Sequence, residues 1–141
     1  PRGDDQIAGI TRGAYVLKDA RSSQPEALIM ASGSEVALAM DAADALEGEG
    51  IGVRVVSMPN PDLFESQDPS YRDQILPPSV TARVAVEAGV TRYWRPLVGD
   101  RGRVIGIDRF GASAPADQLF KEFGLTCEAV VHAVRGVLAG S

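Results

Sequence analysis

Residues 27–57 constrain the fold more than any other part of this chain. Ala27–Ala31 reads ALIMA, an apolar run with no polar alternation. A strand with one face in water alternates, whereas an unbroken apolar run of strand length suits a strand covered on both faces. Ser32, Gly33 and Ser34 interrupt that run. Val36, Ala39, Met40, Ala43 and Leu46 then recur at helical spacing, which predicts a helix with one apolar stripe. Gly48 and Gly50 predict its end, because glycine accepts the left-handed conformation of a helix C-terminus. Val53–Ser57 (VRVVS) supplies the next strand. Strand, helix and strand make a βαβ unit, whose crossover is expected to be right-handed and whose strands run parallel.

The remaining segments extend this pattern. Ala14–Lys18 (AYVLK) has strand character and is expected at a sheet edge. Asn60–Pro61 reads as a helix cap with proline in the first turn, and Asp68–Pro69 repeats it, predicting short helices near 61–66 and 69–76. Pro77–Pro78 stops the second. A strand over Ala82–Glu87 follows, then an amphipathic helix near 90–98 and a strand over Arg103–Asp108 that Gly106 weakens. A helix near 115–123 ends at Gly124, and Thr126 caps a last helix with Val130, Val131, Val134, Val137 and Leu138 on one stripe. Strands alternating with helices predict an α/β/α sandwich of three layers around a mostly parallel sheet of about five strands. Residues 14–141 read as a single domain and residues 1–13, polar and glycine-containing, as a linker or N-terminal arm.

Composition narrows the function. A chain of 141 residues with 45% hydrophobic and 23% charged residues suits one domain with a sizeable core. A net charge of −5 opposes a nucleic-acid surface, which needs a basic patch. Lys18 and Lys121 are the only lysines, so the positive charge is almost all arginine. No apolar run reaches the length of a membrane span. The opening PRGDDQ is polar and acidic and does not read as a secretory leader. It lacks Met, so a fragment or a processed chain is expected. Cys127 is the only cysteine, which rules out an intrachain disulfide and fits the reducing cytoplasm.

Candidate sites are few. In open α/β sheets ligands gather beyond the carboxyl ends of the strands, here Ser32–Gly33–Ser34, Ser57–Met58–Pro59, Glu87–Ala88–Gly89 and Asp108–Arg109. Ser32, Gly33 and Ser34 form a candidate anion site, because a helix start presents free N–H groups and Gly33 permits close approach. Against this, no Gly-Lys-Ser/Thr phosphate loop is present, Glu35 stands in the first turn, and a serine there also serves as an ordinary cap. Glu87 ends an apolar strand and calls for a partner such as Arg83, Arg92 or Arg109, in a structural or interface ion pair. His132, the only histidine, sits beside the apolar stripe of the last helix and reads as packing or surface. Cys127 opens that helix, a position that lowers a thiol pKa, yet it has no adjacent partner and Glu128 follows it, so it reads as a small structural residue. Tyr93, Trp94 and Arg95 have the composition of an interface hot spot or of a satellite core cluster, and Phe110 in FGASAP would join an interface if exposed. No nucleophile–base pair, metal cluster or acid–base pair is apparent.

Taken together, GAYVLKD (13–19), ASGSEVALAMDAADALEGEGIGVRVVSMP (31–59), YRDQILPPSVTARVAVEAG (71–89) and FGASAPADQLFKEFGLT (110–126) resemble the C-terminal domain of transketolase, in order and at matching spacing. The resemblance covers nearly the whole chain from about residue 10. Related thiamine enzymes, such as 1-deoxyxylulose-5-phosphate synthase and the E1 components of 2-oxo acid dehydrogenases, carry a domain of the same fold. The resemblance implies a cytoplasmic three-domain homodimer that moves a two-carbon ketol unit from a ketose phosphate to an aldose phosphate. Thiamine diphosphate and a divalent metal, Mg or Ca, would sit between the first two domains of that parent. The family's Gly-Asp-Gly…Asn motif, its thiazolium-activating glutamate, its substrate histidines and its phosphate-binding arginine have no counterpart in this chain. The resemblance therefore assigns no catalytic, cofactor or metal residue here. It implies a structural and assembly domain, inactive alone, whose partners are the N-terminal and middle domains of the same protein. The competing expectation is a module that binds an anionic effector near Gly33, Ser57 and Glu87. A free-standing small enzyme is the third, and the lack of a nucleophile–base pair counts against it.

Overall fold

The computed structural model describes residues 12–21, 24–32, 35–87, 95–99, 102–106 and 126–139. The strands are β1 (Tyr15–Lys18), β2 (Ala27–Ala31), β3 (Val53–Ser57), β4 (Arg83–Glu87) and β5 (Arg103–Gly106). The helices are α1 (Glu35–Gly48), α2 (Pro61–Glu65), α3 (Pro69–Ile75), α4 (Arg95–Val98) and α5 (Cys127–Ala139). They build one five-stranded sheet in the order β1-β3-β2-β4-β5. β2, β3, β4 and β5 run parallel, with Ile29 facing Val55 on one side and Val84 on the other. β1 is the antiparallel exception at the edge, and its register shifts between Val16 and Lys18.

Every residue of β2 is fully buried, as its unbroken apolar run requires. Because side chains alternate across a strand, β2 splits its payload. Ile29 faces a core built with Leu46 of α1, Val55, Val84 and the valines 130, 134 and 137 of α5. Leu28 and Met30 face the opposite core, with Met58, Phe64 of α2, Ile75 of α3, Ala85, and Leu97 and Val98 of α4. The result is the expected sandwich, with two long helices on one side and three short ones on the other among the described residues.

The helix boundaries follow local chemistry. Asn60 Oδ1 accepts from Leu63 N at 3.1 Å, and Pro61 opens α2. Thr126 Oγ1 accepts from Ala129 N at 3.1 Å and caps α5. Asp68 departs from expectation: it holds the cap position of α3, but its side chain makes no capping bond there. Gly50, at φ +86°, follows α1 in the expected left-handed conformation. The expected helices near 90–98 and 115–123 and the strand to Asp108 fall largely outside the described residues, which retain Arg95–Val98 and Arg103–Gly106 of them.

Entry into β1 is tightly held. Gly13 has φ +94°, and a Cβ there would come within 2.4 Å of Asn60 O and 2.5 Å of Phe64 N. Asn60 N donates to Gly13 O at 3.1 Å, and Tyr71 Oη donates to Ala14 O at 2.7 Å. The Arg12 guanidinium lies over the Tyr71 ring, 4.7 Å from its centroid. Burial raises the Tyr71 phenol above its ordinary pKa, while Arg12 pulls it back.

Two glycines separate backbone strain from collision. Gly50 has open space around its missing Cβ, so Gly50→Ala should cost about 1 kcal/mol of left-handed strain. Gly13→Ala adds a backbone clash and should cost about 3 kcal/mol or more. Urea unfolding of the two variants beside the parent checks the ranking.

Candidate functional site

The carboxyl end of α3 gathers three arginines, and what each of them bonds decides the chemistry of this face. Arg54 projects from β3. Its Nη1 donates to Gln74 O at 3.1 Å and Ile75 O at 3.2 Å, while Nε and Nη2 grip Asp19 at 3.0 and 3.2 Å. Arg83 opens β4. It donates to Leu76 O at 3.2 Å, Pro77 O at 2.9 Å, Val80 O at 2.9 Å and Leu97 O at 2.8 Å. The last carbonyls of a helix have no partner within it, and a cation there is favoured twice, as donor and as charge. Burial lowers the Arg83 pKa, and Asp73 pushes it back up. Because guanidinium starts so far above neutrality, Arg83 stays charged.

Arg72, in α3 itself, is different. Its Nε is sealed from solvent and has no hydrogen-bond partner. The side chain lines a concavity of about 510 Å³, together with Phe64, Leu76, Pro78 and Leu97 and the charged residues Glu65, Asp73 and Arg83. This concavity lies at the amino end of β4. The strand-end rule directs attention to the other end of the sheet, so sequence reasoning missed it. The available signal was the spacing of Arg72, Pro77–Pro78 and Arg83 around a short helix.

At the carboxyl ends, Ser32 is half-buried beyond β2, and its carbonyl accepts from Glu35 N at 3.3 Å. Gly33 and Ser34 lie outside the described residues. Glu35 is buried in the first turn of α1, where its charge opposes an incoming anion. Ser57 is buried at the end of β3. Glu87 ends β4, and its side chain lies outside the description, as do Tyr93, Trp94, Phe110 and the side chain of Arg95. Arg83, one of the partners expected for Glu87, stands four residues from it, roughly 13 Å along the strand, and donates to carbonyls at its own end of β4.

His132 is exposed on α5. Cys127 is not an activated thiol, in keeping with a structural role. Although it opens α5, burial first, and then Glu128 and Asp41, raise its thiol pKa above the ordinary value. Burial and these two carboxylates keep the thiol protonated at neutral pH. Among the described residues no three of His, Cys, Asp and Glu come together to hold a metal. No described helix is long and apolar enough to cross a membrane.

The comparisons agree with this architecture. A family model described as the transketolase-like TK C-terminal domain matches residues 13–126. This chain belongs to the transketolase C-terminal domain family. Transketolase 2 of Vibrio parahaemolyticus is 52% identical over 139 residues, covering 99% of this chain and 21% of that protein. A transketolase structure from Leishmania mexicana superposes with a TM-score of 0.84 at 44% identity, covering 99% of this chain and 20% of that one. A split-gene transketolase described as an inactive beta4 tetramer superposes with a TM-score of 0.63 at 26% identity, over 92% of this chain and 43% of that one. The chain thus spans about a fifth of the curated transketolases it matches.

Two outcomes test the local chemistry. Arg83→Met removes its donors from Leu76 O, Val80 O and Leu97 O and leaves Pro77 O with Val80 N alone, and should cost about 3 kcal/mol in denaturant unfolding, well beyond a surface arginine. Cys127 should alkylate with iodoacetamide more slowly than an unstructured cysteine at neutral pH. The gap should close only as pH rises past the ordinary thiol range, because the elevated pKa withholds the thiolate until then.

Proposed function

We propose that this chain is the structural and assembly domain of a transketolase, and that the parent enzyme moves a two-carbon ketol unit from a ketose phosphate to an aldose phosphate. One observation carries the reading. Almost the whole chain aligns at 52% identity with a transketolase, yet it accounts for only 21% of that protein. The other four-fifths leave ample length for the reaction. The first two domains of the parent would supply thiamine diphosphate and its divalent metal, Mg or Ca. The described residues of this chain do not fit that group: no carboxylate cluster converges for the metal, and its one exposed histidine stands on an outer helix.

The domain's part is mechanical. A sheet covered on both faces makes a rigid block. On this reading residues 14–141 form the block and residues 1–13 an arm from the preceding domain. Tyr93, Trp94, Arg95 and Phe110 supply the assembly surface, since aromatic residues and arginine dominate interface energetics. The partners are the enzyme's other domains and a second copy of the enzyme, in the cytoplasm. A longer split-gene relative, of which this chain covers 43%, is described as an inactive beta4 tetramer, which supports assembly without activity.

Sedimentation velocity tests the proposal. Removing this domain from the full-length enzyme should shift the dimer toward monomer, and alanine at Trp94 and Phe110 should do so partially. The isolated chain should transfer no ketol unit. Turnover by the isolated chain, or an undisturbed dimer after deletion, would overturn the reading.

A further inference from the structure

We propose that the concavity between α2, α3, α4 and the start of β4 binds a small organic carboxylate with an apolar body, held through Arg72. This goes beyond the assembly role, and its test does not depend on it. The argument begins with the unequal state of the arginines. Arg54 is committed to Asp19, Gln74 and Ile75, and Arg83 to Leu76, Pro77, Val80 and Leu97. Between them they neutralise the negative end of α3. Arg72 makes no such bond, and its Nε is shut away from water without an acceptor. A buried donor left unmade is costly, and more so when charged. The rest of the side chain is half-exposed and lines the concavity. A small swing would turn Nε and the adjoining amino group toward an oxyanion, the planar fork that carboxylates match with two parallel bonds.

The walls select among anions. Glu65 and Asp73 share the rim. They tolerate one added negative charge beside Arg72 and Arg83 and oppose a second, which favours a carboxylate over a phosphate dianion. Phe64, Leu76, Pro78 and Leu97 supply apolar surface, suited to a carboxylate on a hydrocarbon or aromatic body. About 510 Å³ falls within the usual range for small-molecule sites.

The test is an NMR titration of the 141-residue chain with benzoate, read at the Arg72 Nε–H resonance, with benzamide and inorganic phosphate as controls. Benzoate should give a saturable shift, and both controls should bind far more weakly. Arg72→Gln should weaken benzoate, followed at neighbouring amides, by roughly tenfold or more. Glu65 is exposed, so Glu65→Gln should leave the fold intact. Removing its charge should tighten benzoate by about two- to threefold. No saturable shift at Arg72, equal affinity in Arg72→Gln, or a Glu65→Gln variant that binds no tighter would each overturn the proposal. So would a full-length enzyme whose Arg72 is already occupied by one of its own acidic side chains and does not respond to benzoate.

Discussion

Burial of β2 on both faces is the constraint from which the rest of the structure follows. Its residues are all apolar and all inaccessible, so helices must cover each side. Each fully buried Leu, Ile or Met contributes about 2 kcal/mol relative to exposure, so leaving either face in water would remove several times the effect of a typical point mutation. One cover is ample: α1 and α5 are long amphipathic helices that lay alanine, leucine and valine on the sheet. The described part of the other cover is made of short pieces. α2, α3 and α4 have five, seven and four residues, so most of their backbone groups sit near an end and lack partners within the helix.

That shortage explains the polar architecture of the thin side. Arg54 and Arg83 reach from the sheet to the carbonyls that α3, the Pro77–Pro78 turn and α4 leave over. Asn60 supplies the cap for α2, and Tyr71 returns a hydrogen bond to Ala14. Long-range side-chain bonds replace what longer helices would provide internally. The same economy holds the incoming backbone at Gly13 against α2, where no side chain fits.

The sandwich was legible because its signals are periodic and local. The run at Ala27–Ala31, the stripe from Val36 to Leu46 and the caps at Asn60 and Thr126 each name an element without reference to the rest of the chain. The antiparallel edge was readable in part: β1 was expected at an edge, but its direction depends on pairing with β3, which no local pattern encodes. The site was less legible. Arg72 and Arg83 look alike in sequence, and only the folded arrangement shows that one is saturated by carbonyls and the other is not. Cys127 was legible in part for a similar reason: Glu128 beside it is local and was read as opposing a thiolate, whereas burial and Asp41 come from tertiary structure.

The position of the concavity also has a physical cause. The strand-end rule depends on loops splaying apart where the sheet order reverses and helix amino ends converge. Here Glu35 is buried at the first helix amino end on that side, and its negative charge offsets the dipole that would draw an anion. On the thin side the polarity is inverted. Helix carboxyl ends converge, arginines are recruited to satisfy them, and three guanidinium groups are concentrated around one short helix. Arg83 is consumed by the backbone, and Arg54 by the backbone and Asp19. The third retains charge and directional donors beside apolar walls, which is the chemistry of carboxylate recognition. Short helices that cannot satisfy their own backbone thus import the groups from which a binding site can be made.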